Sequence, residues 1–108
     1  MNTTISFNNI ITELADSASA LLEETNTAFD HHCISEEEYS GYVDLQSNLC
    51  DLITEFNTGE ISPNAFLRNL YDITKLYERL GDTVYTNSMY DLLADTYIDL
   101  AEINLHRK

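Results

Sequence analysis

Hydrophobic positions recur at three- and four-residue steps along most of the chain, a spacing that predicts α-helices rather than strands. The first such segment runs from about Ser6 to Phe29, and its apolar side chains fall on one side of a helical projection. The acidic residues of this segment, together with Asp30 immediately after it, fall on the opposite side: Glu13, Asp16, Glu23, Glu24 and Asp30. The predicted first helix is therefore amphipathic, with an acidic exposed face.

A second helix is predicted to begin after Ser35, because Ser35 and Glu38 match a capping box. Ile34 and Tyr39 have the spacing of the hydrophobic staple that accompanies such a cap. The helix is predicted to stop at residues 57–59, which read Asn-Thr-Gly. Its carboxylates fall within about 40° of arc and form a narrow acidic ridge: Glu37, Asp44, Asp51 and Glu55.

The third helix is predicted to begin at Ser62-Pro63, since proline is well tolerated at the first helical position, and to end at Gly81. One exposed strip of this helix holds all three internal basic residues, which are Arg68, Lys75 and Arg79. Asp72 lies on the same strip. A fourth helix is predicted to begin between Thr86 and Met89, capped by Thr86, Asn87 or Ser88. Its acidic strip comprises Asp91, Asp95, Asp99 and Glu102.

Four helices with short connections in 108 residues predict one all-α domain over residues 1–108. An up-down four-helix bundle is the leading architecture, and an irregular compact helical domain is the alternative. No stretch of strand length shows a two-residue period, and no internal repeat stands out.

The charge is strongly one-sided, because the first Lys or Arg is Arg68 and the net charge is -14. Such a surface repels nucleic acids and anionic lipids, so we expect no direct binding to either. The N-terminal residues lack a signal-peptide pattern and no stretch approaches the ~20 apolar residues of a membrane span, so a cytoplasmic location is expected. The expected partner is a basic protein, for example the nucleic-acid-binding face of a nuclease.

The residues with metal-ligand chemistry are His31, His32 and Cys33, with Cys50 further along the chain. Their spacing is poor, because adjacent histidines at a helix end point about 100° apart. We expect two histidines near the last helical carbonyls and a small buried, reduced thiol instead, with no metal and no cofactor.

Recognisable catalytic motifs are missing from the sequence, which has no Glu-x-x-His pair, nucleophile elbow or phosphate-binding loop. We therefore expect that the protein is not an enzyme.

The chain has seven tyrosines and no tryptophan. Tyr39, Tyr42 and Tyr77 are predicted to be core or cap residues, whereas Tyr90 and Tyr97 flank the acidic strip of the fourth helix. Tyrosines beside carboxylates suit an arginine-rich partner, through charge-assisted hydrogen bonds and cation-π contacts.

Residues 56–66, which read FNTGEISPNAF and lead into Leu70 and Tyr77, resemble the helix-turn-helix of colicin-D-type immunity proteins. That resemblance implies tight binding to a ribonuclease toxin, with acidic side chains occupying its basic cleft. The charge layout also resembles phage-encoded DNA-mimic inhibitors of restriction and CRISPR enzymes. A helix can repeat a carboxylate every 5 to 10 Å or so, comparable with the ~7 Å steps of a phosphate backbone.

The leading hypothesis is a non-enzymatic inhibitor that blocks the basic cleft of a nucleic-acid-processing protein. The predicted partner-binding residues are carboxylates on the exposed acidic strips and two tyrosines beside them: Glu23, Glu24, Asp30, Glu37, Asp44, Asp51, Glu55, Asp91, Asp95, Asp99, Tyr90 and Tyr97. The alternative is a helical adaptor or chaperone-like module whose acidic faces only keep it soluble, with apolar contacts at Tyr90, Tyr97 or Leu105. Adaptation to high salt is a further explanation of the charge.

The basic strip of the third helix has two interpretations. Arg68, Lys75 and Arg79 either neutralise acidic helices within the monomer or meet the acidic ridge of a second copy in a homodimer.

Overall fold

Four helices account for most of the residues that the computed structural model describes, which are 3–80 and 83–105, with side chains described from Phe7 onward. They are α1 (Thr3–Asp30), α2 (Glu36–Asn57), α3 (Pro63–Leu80) and α4 (Val84–Leu105). No strand occurs in the described ranges, and none of their helices is both long and apolar enough to cross a membrane. The all-α prediction is confirmed, although α1 begins before the predicted Ser6.

The predicted caps of α2 and α3 are present. The Ser35 hydroxyl accepts a hydrogen bond from the Glu38 N–H at 3.1 Å. At the start of α3, the Ser62 hydroxyl accepts one from the Ala65 N–H at 3.2 Å, and Pro63 is the first helical residue. Local sequence therefore sets both helix starts. The predicted stop of the third helix, Gly81, lies outside the described residues.

The predicted start of the fourth helix was wrong, because α4 begins at Val84 and its cap is Thr83. The Thr83 hydroxyl accepts a hydrogen bond from the Thr86 N–H at 3.2 Å, and the Thr86 hydroxyl accepts one from the Thr83 N–H at 3.1 Å. This reciprocal pair has the geometry of a capping box, with a threonine in the place of the usual Glu or Gln. Thr86, Asn87 and Ser88 therefore lie inside the helix rather than at its cap.

Both α1 and α2 end in a turn with one residue in the left-handed region, His32 (φ 60°) and Gly59 (φ 82°). In each turn the N–H of the next residue donates to the carbonyl five positions earlier, at 2.8 Å after α1 and 2.9 Å after α2. This is the Schellman motif, which satisfies carbonyls at the helix end and redirects the chain. The predicted stop at residues 57–59 is confirmed.

Helix packing follows a closed order, in which α1 contacts α2 and α4, and α3 also contacts α2 and α4. Consequently α1 lies diagonally opposite α3, and α2 lies diagonally opposite α4. The described residues form a rod of 48 × 21 × 21 Å, as expected for helices of this length joined by short connections. The architecture is therefore an up-down four-helix bundle.

Aromatic clusters mark the two ends of the core. Phe7, Phe56 and Phe66 pack together with ring centroids 5.2 to 6.2 Å apart. Toward the other end, the fully buried rings of Tyr42 and Tyr77 lie 5.4 Å apart, and the Tyr77 hydroxyl donates to the Tyr42 carbonyl at 3.3 Å. The predicted core role of these two tyrosines is confirmed.

Candidate partner-binding surface

Charge is distributed unequally among the four helices. The first, second and fourth helices carry five, six and four carboxylates and no Lys or Arg. The basic residues Arg68, Lys75 and Arg79 all lie on α3. Because α1 packs between α2 and α4, the three acidic helices are contiguous, and the helix with basic residues lies diagonally across from α1.

These carboxylates face solvent and are largely unpaired. Every described Asp and Glu except Glu38 is exposed. Among residues 3–80 and 83–105 the one ion pair joins Lys75 Nζ to Glu78 Oε1 at 3.8 Å. Arg68 and Arg79 are exposed and form no ion pair with the described residues, so they do not neutralise a neighbouring acidic helix there. This observation disfavours one of the two interpretations of the basic strip.

The predicted ridge on α2, hereafter the α2 ridge, consists of Glu37, Asp44, Asp51 and Glu55, all of them exposed. Two contacts of α2 fix the direction in which this ridge points. Tyr39 hydrogen-bonds Asn26 of α1, and Glu37 lies two residues, about 200°, away from Tyr39. Gly41 packs closely on Leu80 of α3, on the side nearer to the ridge. The α2 ridge is therefore turned away from α1.

A second cluster lies along the junction of α1 and α4, hereafter the α1/α4 acidic surface. Glu24 lines a groove of about 460 Å³ that also contains Tyr85 of α4, and Glu13 lies three turns earlier on the same side of α1. On α4, Asp95 and Asp99 each lie about 200° from Tyr97, the residue that faces α3. They are therefore directed toward the α1 side, where they join Glu13 and Glu24.

The other predicted partner-binding residues do not gather on one face. Glu23 and Asp30 are exposed on the side of α1 that borders α2, close in projection to Asn26. Asp91 is exposed on the outer face of α4. Tyr90 and Tyr97 are half-buried and pack against the core. The predicted set is thus spread over several sides of the bundle.

An open groove of about 410 Å³ separates α3 from α4, with Leu67, Arg68, Tyr71, Ala101 and Leu105 among its lining residues. Its rim includes two exposed side chains, Tyr71 at 48% and Leu105 at 74%, and Ile98, beside Tyr97 in the chain, is 59% exposed.

Sequence reasoning missed the exposure of Ile98. The signal was present, because Ile98 follows Asp91 by seven residues and so lies within about 20° of it in projection, inside the acidic strip.

The residues considered for metal binding are all exposed: His31, His32, Cys33 and Cys50. The expectation of a buried thiol was therefore wrong, because Cys33 in the turn after α1 and Cys50 on α2 are both exposed. His31 and Cys33 line the groove beside Glu24, but among the described residues no three His, Cys, Asp or Glu side chains are placed to hold a metal ion.

Comparison with protein-family models, with curated proteins and with solved structures found no match to this chain.

Proposed function

We propose that this protein is a non-enzymatic inhibitor whose acidic surface occupies the basic nucleic-acid-binding cleft of another protein, as toxin-immunity or anti-defence proteins do. The observation that carries this proposal is the exposure of nearly every described carboxylate on three contiguous helices, while the one ion pair in the described ranges lies on α3. Unpaired like charges destabilise a compact fold. Solubility requires a net charge of only about 2 to 8 in magnitude, so a binding role explains -14 better.

The geometry of the carboxylates supports mimicry of a phosphate backbone. Asp95 and Asp99 are one helical turn apart, about 6 Å along the axis, and Asp51 and Glu55 repeat that step on α2. A rigid helix presents these groups without the entropy cost of ordering a flexible segment. Arg and Lys side chains that bind phosphates can make charge-assisted hydrogen bonds to such carboxylates instead.

Two matched triple variants test which acidic surface binds. One is Asp44→Asn, Asp51→Asn and Glu55→Gln on the α2 ridge. The other is Glu13→Gln, Asp95→Asn and Asp99→Asn on the α1/α4 acidic surface. Each removes three exposed charges at nearly constant side-chain volume, and α2 and α4 lie at opposite corners of the bundle.

Each variant and the unchanged protein would serve as bait in host lysate at about 0.1 M and about 0.5 M salt. We expect capture of a basic nucleic-acid-binding protein that weakens at the higher salt, because the Debye length falls to about 4 Å there. One triple variant should lose about tenfold or more in affinity and the other much less. The captured protein should lose its nucleic-acid binding when the unchanged inhibitor is added.

Two results would count against the proposal. Equal loss in both variants would indicate attraction by overall charge without a defined binding surface. If capture of the partner is unchanged at the higher salt and in both triple variants, the second candidate function is favoured. That function is a helical adaptor that binds through the apolar rim of the α3/α4 groove. The exposure of Ile98 and Leu105 is the observation that favours this alternative.

A further inference from the structure

The outward side of α3 and α4, hereafter the α3/α4 face, combines both signs of charge with exposed apolar side chains. Its α3 half presents Arg68, Lys75 and the 48% exposed ring of Tyr71. Its α4 half presents three exposed residues that lie within about 40° of one another in projection: Asp91, Ile98 and Glu102. The α3 half also carries Glu78, which pairs with Lys75 and lies within about 20° of Tyr71 in projection, so its two positive charges and one negative charge leave a net +1. The α4 half carries two negative charges, so the two halves differ in sign, with an apolar residue in each.

Two contacts fix the relative heights of these residues along the bundle. The Tyr71 and Tyr97 rings lie 5.7 Å apart, and the Asn104 side-chain amide donates to Asn64 Oδ1 at 2.5 Å. Both contacts give the same antiparallel register.

From that register, Arg68 lies level with Leu100 and Lys75 lies level with Leu93. Along the bundle axis, Glu102 is then offset by about 3 Å from the level of Arg68, and Asp91 by about 3 Å from the level of Lys75, at 1.5 Å rise per residue.

We infer that the α3/α4 face binds a second copy of this chain in a twofold homodimer whose axis runs parallel to the bundle. Rotation about that axis lays each α3 on the α4 of the other copy and keeps every residue at its own height. Arg68 then meets Glu102 of the second copy, Lys75 meets Asp91, and Tyr71 meets Ile98. A twofold axis perpendicular to the bundle would lay α3 on α3, where like charges would repel.

The size of the face and the state of its charges are compatible with this dimer. The face follows the 18 residues of α3, about 27 Å at 1.5 Å rise per residue, across a rod 21 Å wide, so its projected area is about 570 Å². This is below the roughly 800 Å² that each partner buries in a standard interface and corresponds to a weak dimer. Arg68 forms no ion pair with the described residues, and Lys75 has only a long, exposed pair with Glu78 at 3.8 Å. An exposed pair of that kind contributes little, so Lys75 is available to the second copy.

The net negative charge of each copy opposes association, but this repulsion acts over longer distances than the attraction between the contacting charge pairs. At about 0.15 M salt the Debye length is about 8 Å, so most repulsion between distant acidic residues is screened. Contacting pairs within about 4 Å are screened less.

The α2 ridge lies outside the α3/α4 face, whereas the α1/α4 acidic surface borders it, because Asp95 lies within about 20° of Glu102 in projection. Self-association is measured on the chain alone and inhibition by capture of a basic protein, so either can fail without the other.

Charge-reversal variants of the two halves of the face provide the test. The first variant, Arg68→Glu with Lys75→Glu, makes both halves acidic. The second, Asp91→Lys with Glu102→Lys, makes both halves basic and lowers the overall negative charge. The third combines all four changes and restores the original net charge with the pairs reversed.

Sedimentation velocity from about 1 µM to about 1 mM protein at about 0.15 M salt would report association over the range of weak to moderate affinity. We expect the unchanged chain to dimerise, both double variants to remain monomeric, and the quadruple variant to dimerise again. Recovery in the quadruple variant also shows that the loss in each double variant is not misfolding, which far-UV circular dichroism would check independently.

Three results would overturn the inference. The unchanged chain could be monomeric throughout, or the basic double variant could dimerise more strongly because its overall repulsion is lower, or the quadruple variant could fail to recover while folded. If the unchanged chain is monomeric and the double variants no longer capture some other protein, the α3/α4 face binds that other protein instead.

Discussion

Tyr42 and Tyr77 place two phenol groups inside the bundle. Burial raises the pKa of Tyr42 and strongly raises the pKa of Tyr77, because a phenolate loses its hydration in the core. The Tyr77 hydroxyl donates to the Tyr42 carbonyl, but the Tyr42 hydroxyl and the buried Gln46 Oε1 have no hydrogen-bond partner among the described residues. Thr25, which lies near the Tyr42 hydroxyl, donates its own hydroxyl to the Leu21 carbonyl at 2.7 Å. The centre of α2 therefore keeps polar atoms that cost stability.

These raised pKa values predict alkaline unfolding. In the unfolded chain both tyrosines ionise near pH 10, whereas the native state keeps them neutral, so their stabilising contribution is complete below about pH 10 and is lost as pH rises above it. The free energy of unfolding should fall by up to about 1.4 kcal/mol per pH unit for each tyrosine. Urea unfolding followed by circular dichroism between about pH 8 and pH 11 would measure this slope.

Phenylalanine variants separate the buried tyrosines from the exposed ones. Tyr77→Phe should flatten the alkaline slope, although it also removes the hydrogen bond to Tyr42 and so lowers stability at neutral pH. Tyr71→Phe is the matched control, because the Tyr71 ring is 48% exposed to solvent. An unchanged slope in Tyr77→Phe would contradict the assignment.

At the scale of the element, α1 and α2 end in the same hydrogen-bonded motif but use different residues at its left-handed position. Gly59 adopts its φ of 82° without a steric penalty, whereas His32 adopts 60° with a side chain attached. The left-handed conformation costs an L-residue about 1 kcal/mol relative to glycine. The end of α1 is therefore less favourable than the end of α2.

Reciprocal substitutions follow from that difference. His32→Gly should raise the free energy of unfolding by about 0.5 to 1 kcal/mol, and Gly59→Ala should lower it by about 1 kcal/mol. Chemical denaturation of both variants beside the unchanged protein would measure the two shifts. His31→Gly is the neighbouring control, and it should not stabilise, since His31 has no positive φ. A stabilised Gly59→Ala would show that the motif is not maintained in solution.

The helix starts show which parts of the fold were predictable from sequence. Ser35 and Ser62 were identified because each stands alone before an apolar period, so local hydrogen bonding has a single solution. The start of α4 was not identified, because hydroxyl or amide side chains occur at positions 83, 86, 87 and 88 and each is an acceptable cap. Burial of Thr86 selects among them, and burial is a tertiary property.

The same distinction applies to the candidate surface. The exposure of Asp44 or Asp95 followed from helical periodicity alone. That α1 and α4 bring Glu13 and Asp99 to one side, while the α2 ridge points elsewhere, depends on the packing order of the helices. No local pattern encodes that order.

At the scale of the whole molecule, the exposed carboxylates repel one another across three helices. Screening should relieve this repulsion, so raising sodium chloride from about 0.05 M to about 0.5 M should increase stability. A gain of about 1 kcal/mol corresponds to a rise in Tm of about 4 °C or more for a domain of this size. Thermal circular dichroism would measure it, and the triple variant of the α2 ridge should gain less.

Two outcomes of that melting series would change the interpretation of the charge. A Tm that does not depend on salt would mean that the repulsion is already negligible. A chain that folds only near molar salt would favour high-salt adaptation over a binding role.

The diagonal arrangement of α1 and α3 also gives the molecule a permanent electric moment across its short axis. In the field of a cationic protein this moment produces a torque that turns α1 and its acidic neighbours toward the approaching surface before contact. Productive orientations are then sampled early in the encounter, and α3 is left on the trailing side. In the twofold dimer the transverse moments of the two copies point in opposite directions and cancel, so only a single copy is oriented in this way.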